Sequence, residues 1–270
     1  MTVITLTTDF GTGDHEAGVL KGVIWTIAPR VQIADLSHDI TPHNILEAAL
    51  LLWRVAPYFP DGTIHVAVVD PGVGTSRRGI AARLGSQYFV GPDNGLLTLL
   101  MSRVDGNNQE ISIVHLDRPE YWLPEISDIF HGRDIFAPIA AHLALGIPLS
   151  SLGISINDPV KIEIPAPTRI PRGWHGQVIH IDHFGNLTTN LNLGHLKPTK
   201  EVMIKIKGEH IAGLVSAFGE RPAGTLVALM DSSSSLAISV VNGNAAKVLN
   251  ARVGDEIQVL IDDRVVNNYD

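Results

Sequence analysis

The residues best equipped for chemistry gather in Val66 to Arg78, which reads V-A-V-V-D-P-G-V-G-T-S-R-R. An apolar, β-branched run ends at Asp70, a Pro-Gly-x-Gly turn follows, and two arginines close it. A buried strand that ends in an acid places a carboxylate at the C-terminal edge of a sheet, where α/β proteins hold ligands. Pro71, Gly72 and Gly74 suit a tight turn that returns Arg77 towards Asp70. A plain strand-turn-strand corner is the competing reading of this segment alone.

Four other stretches carry similar potential. Asp9 and Asp14 lie in D-F-G-T-G-D, and Asp39 ends another strand pattern. The glycine turn there resembles a dinucleotide fingerprint, but Glu16 holds the position of its third glycine. A carboxylate at such a turn suits ribose hydroxyls or a cation better than a phosphate. Asp14 taken alone reads as a helix N-cap. Phe130-His131-Gly132-Arg133-Asp134 sets a histidine beside glycine just before a helix, where His131 can orient a neighbouring charge or Asp134 can cap. Asp182-His183-Phe184-Gly185-Asn186 and Asn242-Gly243-Asn244-Ala245-Ala246 combine amides with an aromatic, which fits a flat heterocycle as well as simple turn building. His180 and His183 around Asp182 match no strong metal motif.

Hydrophobic periodicity supplies the elements that must position these groups. Val3–Thr7, Val31–Leu36 and Thr63–Val69 read as strands. They alternate with helices over 15–27 and from Thr41-Pro42 through Val55, Thr41 serving as N-cap. Gly79–Leu84 and Tyr88–Val90 read as a hairpin, Ile111–Leu116 as a strand and Asp134–Leu145 as a helix ended by Gly146. This alternation predicts an α/β domain over 1–160, a mostly parallel sheet flanked by helices. Pro159, Pro165, Pro167 and Pro171 mark a linker. Strand patterns at 176–181, 201–207, 225–230, 235–241 and 256–261 then predict a smaller all-β barrel domain over 170–270.

Composition narrows the function. A chain of 270 residues can bury a sizeable core, and a formal net charge of -8 without a basic stripe argues against nucleic acid as partner. There is no cysteine, which excludes disulfides, thiolate catalysis and Cys-ligated zinc. No apolar run reaches the length of a membrane span, and the N-terminus lacks a signal-peptide pattern, so a soluble, cytoplasmic protein is expected.

Taken in order, T-T-D-F-G-T-G-D, D-P-G-V-G-T-S-R-R, F-H-G-R-D, D-H-F-G-N and N-G-N-A-A resemble the S-adenosylmethionine hydrolases (hydroxide adenosyltransferases), relatives of the fluorinases and chlorinases. The resemblance implies an N-terminal α/β domain, a C-terminal β-barrel, and a homotrimer with sites between neighbouring subunits. It implies that water attacks C5′ of the ribose and releases adenosine and L-methionine, with no metal or other cofactor. By motif match, Asp70, Arg77 and His131 form the catalytic set, and Asp9 holds the ribose hydroxyls. Asp14 and Asp182 match acids near the methionine end, Asn186 an adenine contact and Ala245 a backbone contact with adenine. Ser235 stands for the serine run 232–235, near a position that binds the methionine carboxylate. Where the halogenases carry Tyr, Thr and Ser at the halide pocket, this chain has Asp70, Val73 and Gly132, with Phe130 beside them. A carboxylate repels a halide, so water is the expected nucleophile.

The implied chemistry is coherent. A sulfonium is already a good leaving group, so the tasks left are to place a water in line behind C5′ and accept its proton. A carboxylate paired with an arginine is a weak base, so Asp70 either accepts that proton late or chiefly orients the water. Two other functions compete: a metal-dependent nucleoside hydrolase built on Asp9, Asp14 and Asp70, and a non-catalytic S-adenosylmethionine or adenosine-binding protein.

Overall fold

In a computed structural model, residues 2–107, 109–196 and 202–261 are described. Among them no helix is long and apolar enough to cross a membrane. The chain divides into two compact units between Glu163 and Ile164.

The first unit is built on a seven-stranded sheet. Its strands are β1 (Val3–Thr8), β2 (Gln32–Ser37), β3 (Ile64–Val68), β4 (Gly79–Leu84), β5 (Gln87–Pro92), β6 (Ile111–Leu116) and β7 (Gly153–Ile156). The order across the sheet is β2-β1-β3-β5-β4-β6-β7. From β2 to β5 neighbours run parallel; β4, β6 and β7 continue the sheet antiparallel. Helices α1 (Glu16–Ile27), α2 (Ile45–Val55), α3 (Thr98–Gly106) and α4 (Ala137–Ala144) cover both faces. Alternation along β3 explains why both must be covered. Ile64, Val66 and Val68 pack with Leu20 and Ile24 of α1 and Ile139 of α4. Ala67 and Val69 face the opposite layer, with Ala48 and Leu52 of α2 and Leu100 of α3. Every residue of β3 is buried.

Topology fixes where a ligand can sit. The chain leaves β1 through α1 to β2 on one side, then returns through α2 to β3 on the other. The C-terminal ends of β1 and β3 therefore lie side by side where the winding reverses, with Thr8 paired to Val68. Asp9 and Asp70 follow those paired ends.

Three local expectations are corrected. Helix α2 starts at Ile45 rather than at Thr41-Pro42. His43 takes a positive φ of 66° and turns the chain. Asn44 is then the N-cap, its Oδ1 accepting from the Glu47 amide at 3.1 Å. Asp14 is not the N-cap of α1, since His15 holds that position without a side-chain hydrogen bond. Asp134 does not cap a helix either: it lies within a π-helical turn, Gly132–Phe136, that leads directly into α4.

The second unit is an antiparallel, nearly closed barrel-like sheet. Its strands are β8 (Thr168–Ile170), β9 (Gly173–Ile181), β10 (Leu187–Asn192), β11 (Val202–Ile206), β12 (Glu209–Ala212), β13 (Leu226–Met230), β14 (Ser235–Val240) and β15 (Glu256–Ile261). They run in the order β12-β11-β15-β9-β10-β14-β13, with β8 paired to β9. The long β9 joins the two halves, pairing with β15 along its start and with β10 towards its end. The core inside comes from inward alternation, for example Ile257, Val259 and Ile261 of β15. One short helix, α5 (Ala245–Leu249), follows β14. The expected strand over 201–207 includes Glu201, which lies outside the described residues; strands β7, β8, β10 and β12 had no counterpart in the sequence patterns.

Candidate active site

After Val69 the chain leaves β3, and the Pro71–Ser76 turn brings Arg77 back onto Asp70. Gly72 leaves room for this return, because a Cβ there would lie 3.3 Å from Arg77 Cγ. Arg77 Nε donates to both carboxylate oxygens of Asp70 at 2.9 Å, and its Nη2 also donates to Oδ2. Both side chains are sheltered, at 10% exposure for Arg77 and 5% for Asp70. A sheltered guanidinium fork of this kind fixes the plane and the charge of the carboxylate.

His131 completes the set. Its Nδ1 lies 2.8 Å from Arg77 Nη2. A guanidinium has no acceptor, so the arginine donates and Nδ1 accepts; the ring is the neutral tautomer with its proton on Nε2. Burial, and then the Arg77 charge, hold its pKa below the ordinary histidine value. Arg77 is thus shared between an anion and a neutral ring.

Glycines and aromatics hold this arrangement from behind. Phe136 is fully buried and lies under the Arg77 guanidinium, 5.4 Å from ring centroid to Cζ. Gly79 permits that approach, since a Cβ there would meet Phe136 at 2.9 Å. Gly74 has a φ of +74°, and a Cβ on it would stand 2.4 Å from the Asp128 carbonyl oxygen. The 70–77 turn therefore packs directly on the loop that delivers Phe130 and His131. That loop is tied to the π-turn by buried Asp134, which accepts from the Ser127 amide at 2.8 Å and from Arg133 Nε at 2.5 Å. Asn94 secures the end of β3, its Nδ2 donating to the Val69 carbonyl at 2.9 Å.

Of the expected nucleophile-pocket residues, Gly132 and Phe130 are in contact. Gly132 packs against Val68, Phe10 and Phe130, the atoms that a Cβ there would meet at 3.3–3.6 Å. Phe10 and Phe130 form an edge-to-face pair at 5.7 Å. Val73 sits in the turn, its amide donating to the Asp70 carbonyl at 3.2 Å. Asp9 follows β1 and accepts from the His43 amide through Oδ2 at 2.9 Å. His38 supports that corner: its carbonyl accepts from the Gly11 amide at 2.8 Å, and its Nδ1 lies 2.8 Å from Thr8 Oγ1. Asp14 is exposed in the turn before α1, and Asp39 is exposed beyond the edge strand β2. Among the described residues no three His, Asp or Glu side chains converge as a metal-ligand set.

The barrel unit brings its two predicted loops together. Gly185, with a φ of +86°, presses against the Asn244 side chain, and its carbonyl accepts from the Ala246 amide at 3.0 Å. Between them opens a concavity of about 590 Å³ lined by Phe184, Asn186, Phe218, Val240 and the 242–244 turn. That volume suits a small organic ligand. Phe184 is 73% exposed and Phe218 45%, an unusual placement for phenylalanine and one that fits aromatic stacking. Ala245 is buried behind this rim. Asp182 accepts from the Asn186 backbone amide and from its Nδ2, both at 2.8 Å. Ser235 lies elsewhere in this unit. It begins β14, with its amide bonded to Asp231 Oδ1 at 2.9 Å, whereas the concavity lies at the other end of that strand.

Sequence reasoning did not find His38, His43, Asn94, Phe136 or Phe218. Asn94 stood in a visible turn; the others carried no local signal, because their partners are distant in the chain.

An α/β unit with an Asp-Arg-His set at its winding reversal, followed by a barrel with an aromatic, amide-lined pocket, has the features of a protein that handles a small molecule. Models of the SAM hydroxide adenosyltransferase N-terminal and C-terminal domains match residues 4–153 and 176–258, and the chain belongs to that family. It is 36% identical over 259 residues to the (R)-S-adenosyl-L-methionine hydrolase of Salinispora tropica, covering 95% of this chain and 97% of the relative. The enzyme of the same description from Thermus thermophilus is 37% identical, covering 93% and 97%. A fluorinase from an Actinoplanes species is more distant, 29% identical over 70% of this chain and 72% of its own. Among solved structures, an uncharacterized conserved protein from Thermotoga maritima has a TM-score of 0.85 at 35% identity, covering 95% of this chain and 99% of that one.

Proposed function

We propose that this protein hydrolyses S-adenosyl-L-methionine at C5′ of the ribose, giving adenosine and L-methionine. The observation that carries the reading is the Asp70–Arg77–His131 arrangement beside Asp9, in a chain whose hydrolase relatives match it nearly end to end.

The residues divide the work. The barrel pocket takes the adenine, stacked on Phe184 and Phe218. Asp9 has Oδ2 bonded to the His43 amide, and its other oxygen accepts from a ribose hydroxyl. Asp70 still has lone pairs beyond those used by Arg77, and one of them accepts from the attacking water. The sulfonium leaves without protonation, so positioning is the main contribution and the water's proton passes to Asp70 late, as the C–O bond forms. Arg77 keeps the carboxylate aimed, and neutral His131 keeps Arg77 in place. Val68, Phe10 and Phe130 around Gly132 give an apolar wall with no hydroxyl donors for a halide. Asp14 and Ser235 belong to the methionine end by motif match alone. We further propose a cytoplasmic homotrimer, in keeping with the cysteine-free sequence and the family resemblance.

Incubating the purified protein with S-adenosyl-L-methionine tests the reading. Equal amounts of adenosine and methionine are expected by chromatography, unchanged by a chelator or by added chloride or fluoride. Intact substrate after prolonged incubation at high protein concentration refutes it.

A further inference from the structure

In the barrel unit, Asp182 makes two contacts with one neighbour. Oδ1 accepts from the Asn186 backbone amide and Oδ2 from Asn186 Nδ2, each at 2.8 Å. The same turn is closed by the Asp182 amide donating to the Asn186 carbonyl at 3.0 Å. A carboxylate only accepts, so it can face the NH₂ end of the amide and not the oxygen end. The polarity of the Asn186 amide is therefore dictated chemically: Nδ2 is turned to Asp182, and Oδ1 is the end left available to the pocket that Asn186 lines. Asn244, on the facing loop, is fixed the opposite way. Its Oδ1 accepts from the Lys247 amide at 2.7 Å as the cap of α5, which leaves Nδ2 for the same pocket.

We propose that Asp182 is a positioning residue that locks the amide polarity of Asn186, so that the pocket offers one acceptor and one donor and selects a 6-aminopurine over a 6-oxopurine. The proposal rests on the reading of this pocket as the adenine site. A 6-amino group with its neighbouring ring nitrogen presents a donor beside an acceptor. A 6-oxopurine turns that donor into an acceptor, which would face Asn186 Oδ1. Mismatched polar groups in a pocket are left unpaired, the situation in which binding sites discriminate most strongly. Exchange of Asp182 for asparagine keeps the shape, but with its one oxygen on the Asn186 backbone amide it turns an NH₂ to the Asn186 side chain, and so releases the lock.

The test uses the full chain and compares adenosine with inosine by calorimetry, in wild type, Asp182→Asn, Asn186→Ala and the double variant. Wild type is expected to prefer adenosine by roughly tenfold or more, the scale of one unpaired buried group. In Asp182→Asn that preference should fall to within about threefold, with the loss on adenosine. Turnover of S-adenosyl-L-methionine should then show its change in KM rather than in kcat. Because Asp182 acts through Asn186, the double variant should bind adenosine no worse than Asn186→Ala. An unchanged adenosine-to-inosine ratio in Asp182→Asn overturns the proposal. So does weakened methionine binding with adenosine binding intact, which would place Asp182 at the methionine end instead. Failure of wild type to bind adenosine at all overturns the pocket assignment itself and this proposal with it.

Discussion

At the scale of single residues, Asp70 and Arg77 act as one unit. Removing either leaves the other's charge sheltered and unpaired, so Asp70→Ala and Arg77→Ala should each lower kcat by about 10²–10⁴-fold, the range for a positioned acid or base. Circular dichroism should show the fold retained; wild-type turnover in Asp70→Ala would contradict the role given to it. His131 sets a pH limit. Its Nδ1 accepts from Arg77, so it must be neutral, and burial together with the arginine charge lowers its pKa from 6.5. Activity should therefore be flat above pH 6.5 on this account and be lost as pH falls through the lowered histidine value, when Nδ1 gains a proton and can no longer accept. The acid limb of kcat/KM against pH checks this, and a limb centred above 6.5 would refute it. The return of Arg77 onto Asp70 could be read from the strand, the Pro-Gly-x-Gly turn and the arginines that follow, whereas His131 joined the set only through the motif resemblance. The Arg77–His131 contact spans 54 positions.

At the scale of elements, the site depends on two loops pressed together. Gly74 approaches the Asp128 carbonyl too closely for any side chain and has a positive φ. Gly74→Ala should therefore cost about 1–3 kcal/mol, the scale of strain from overpacking or a disfavoured backbone region. It should also lower kcat, since the loop carrying His131 must shift. Thermal unfolding with a turnover assay measures both, and an unaltered kcat would contradict the coupling. Here the sequence was read well where periodicity is strong, as for α1, β3 and β6, and poorly where capping competes. Thr41-Pro42 has the form of a helix start, yet Asn44 with Glu47 three residues on makes the better cap once His43 turns the chain. The π-turn at Gly132–Phe136 left no sequence signal, because it arises when Asp134 is drawn inward to Ser127 and Arg133. Strands β10 and β12 were missed for another reason. Polar L-T-T-N-L-N and the four-residue E-H-I-A lack the apolar alternation that marks a strand, and they gain it from barrel neighbours.

At the scale of the whole molecule, the winding of the first sheet and the barrel of the second unit supply two different binding chemistries. The first offers carboxylates at a sheet edge; the second offers aromatic faces and amides. For the proposed homotrimer, light scattering on the purified protein should give three times the 29.1 kDa chain mass. A monomer that retains full activity would contradict it. The most direct test of the central claim is turnover of S-adenosyl-L-methionine in ¹⁸O-labelled water, with products analysed by mass spectrometry. The account predicts equimolar products, with one ¹⁸O on C5′ of adenosine and none in methionine. Release of free adenine, a 5′-halogenated nucleoside, or adenosine without the label would contradict it.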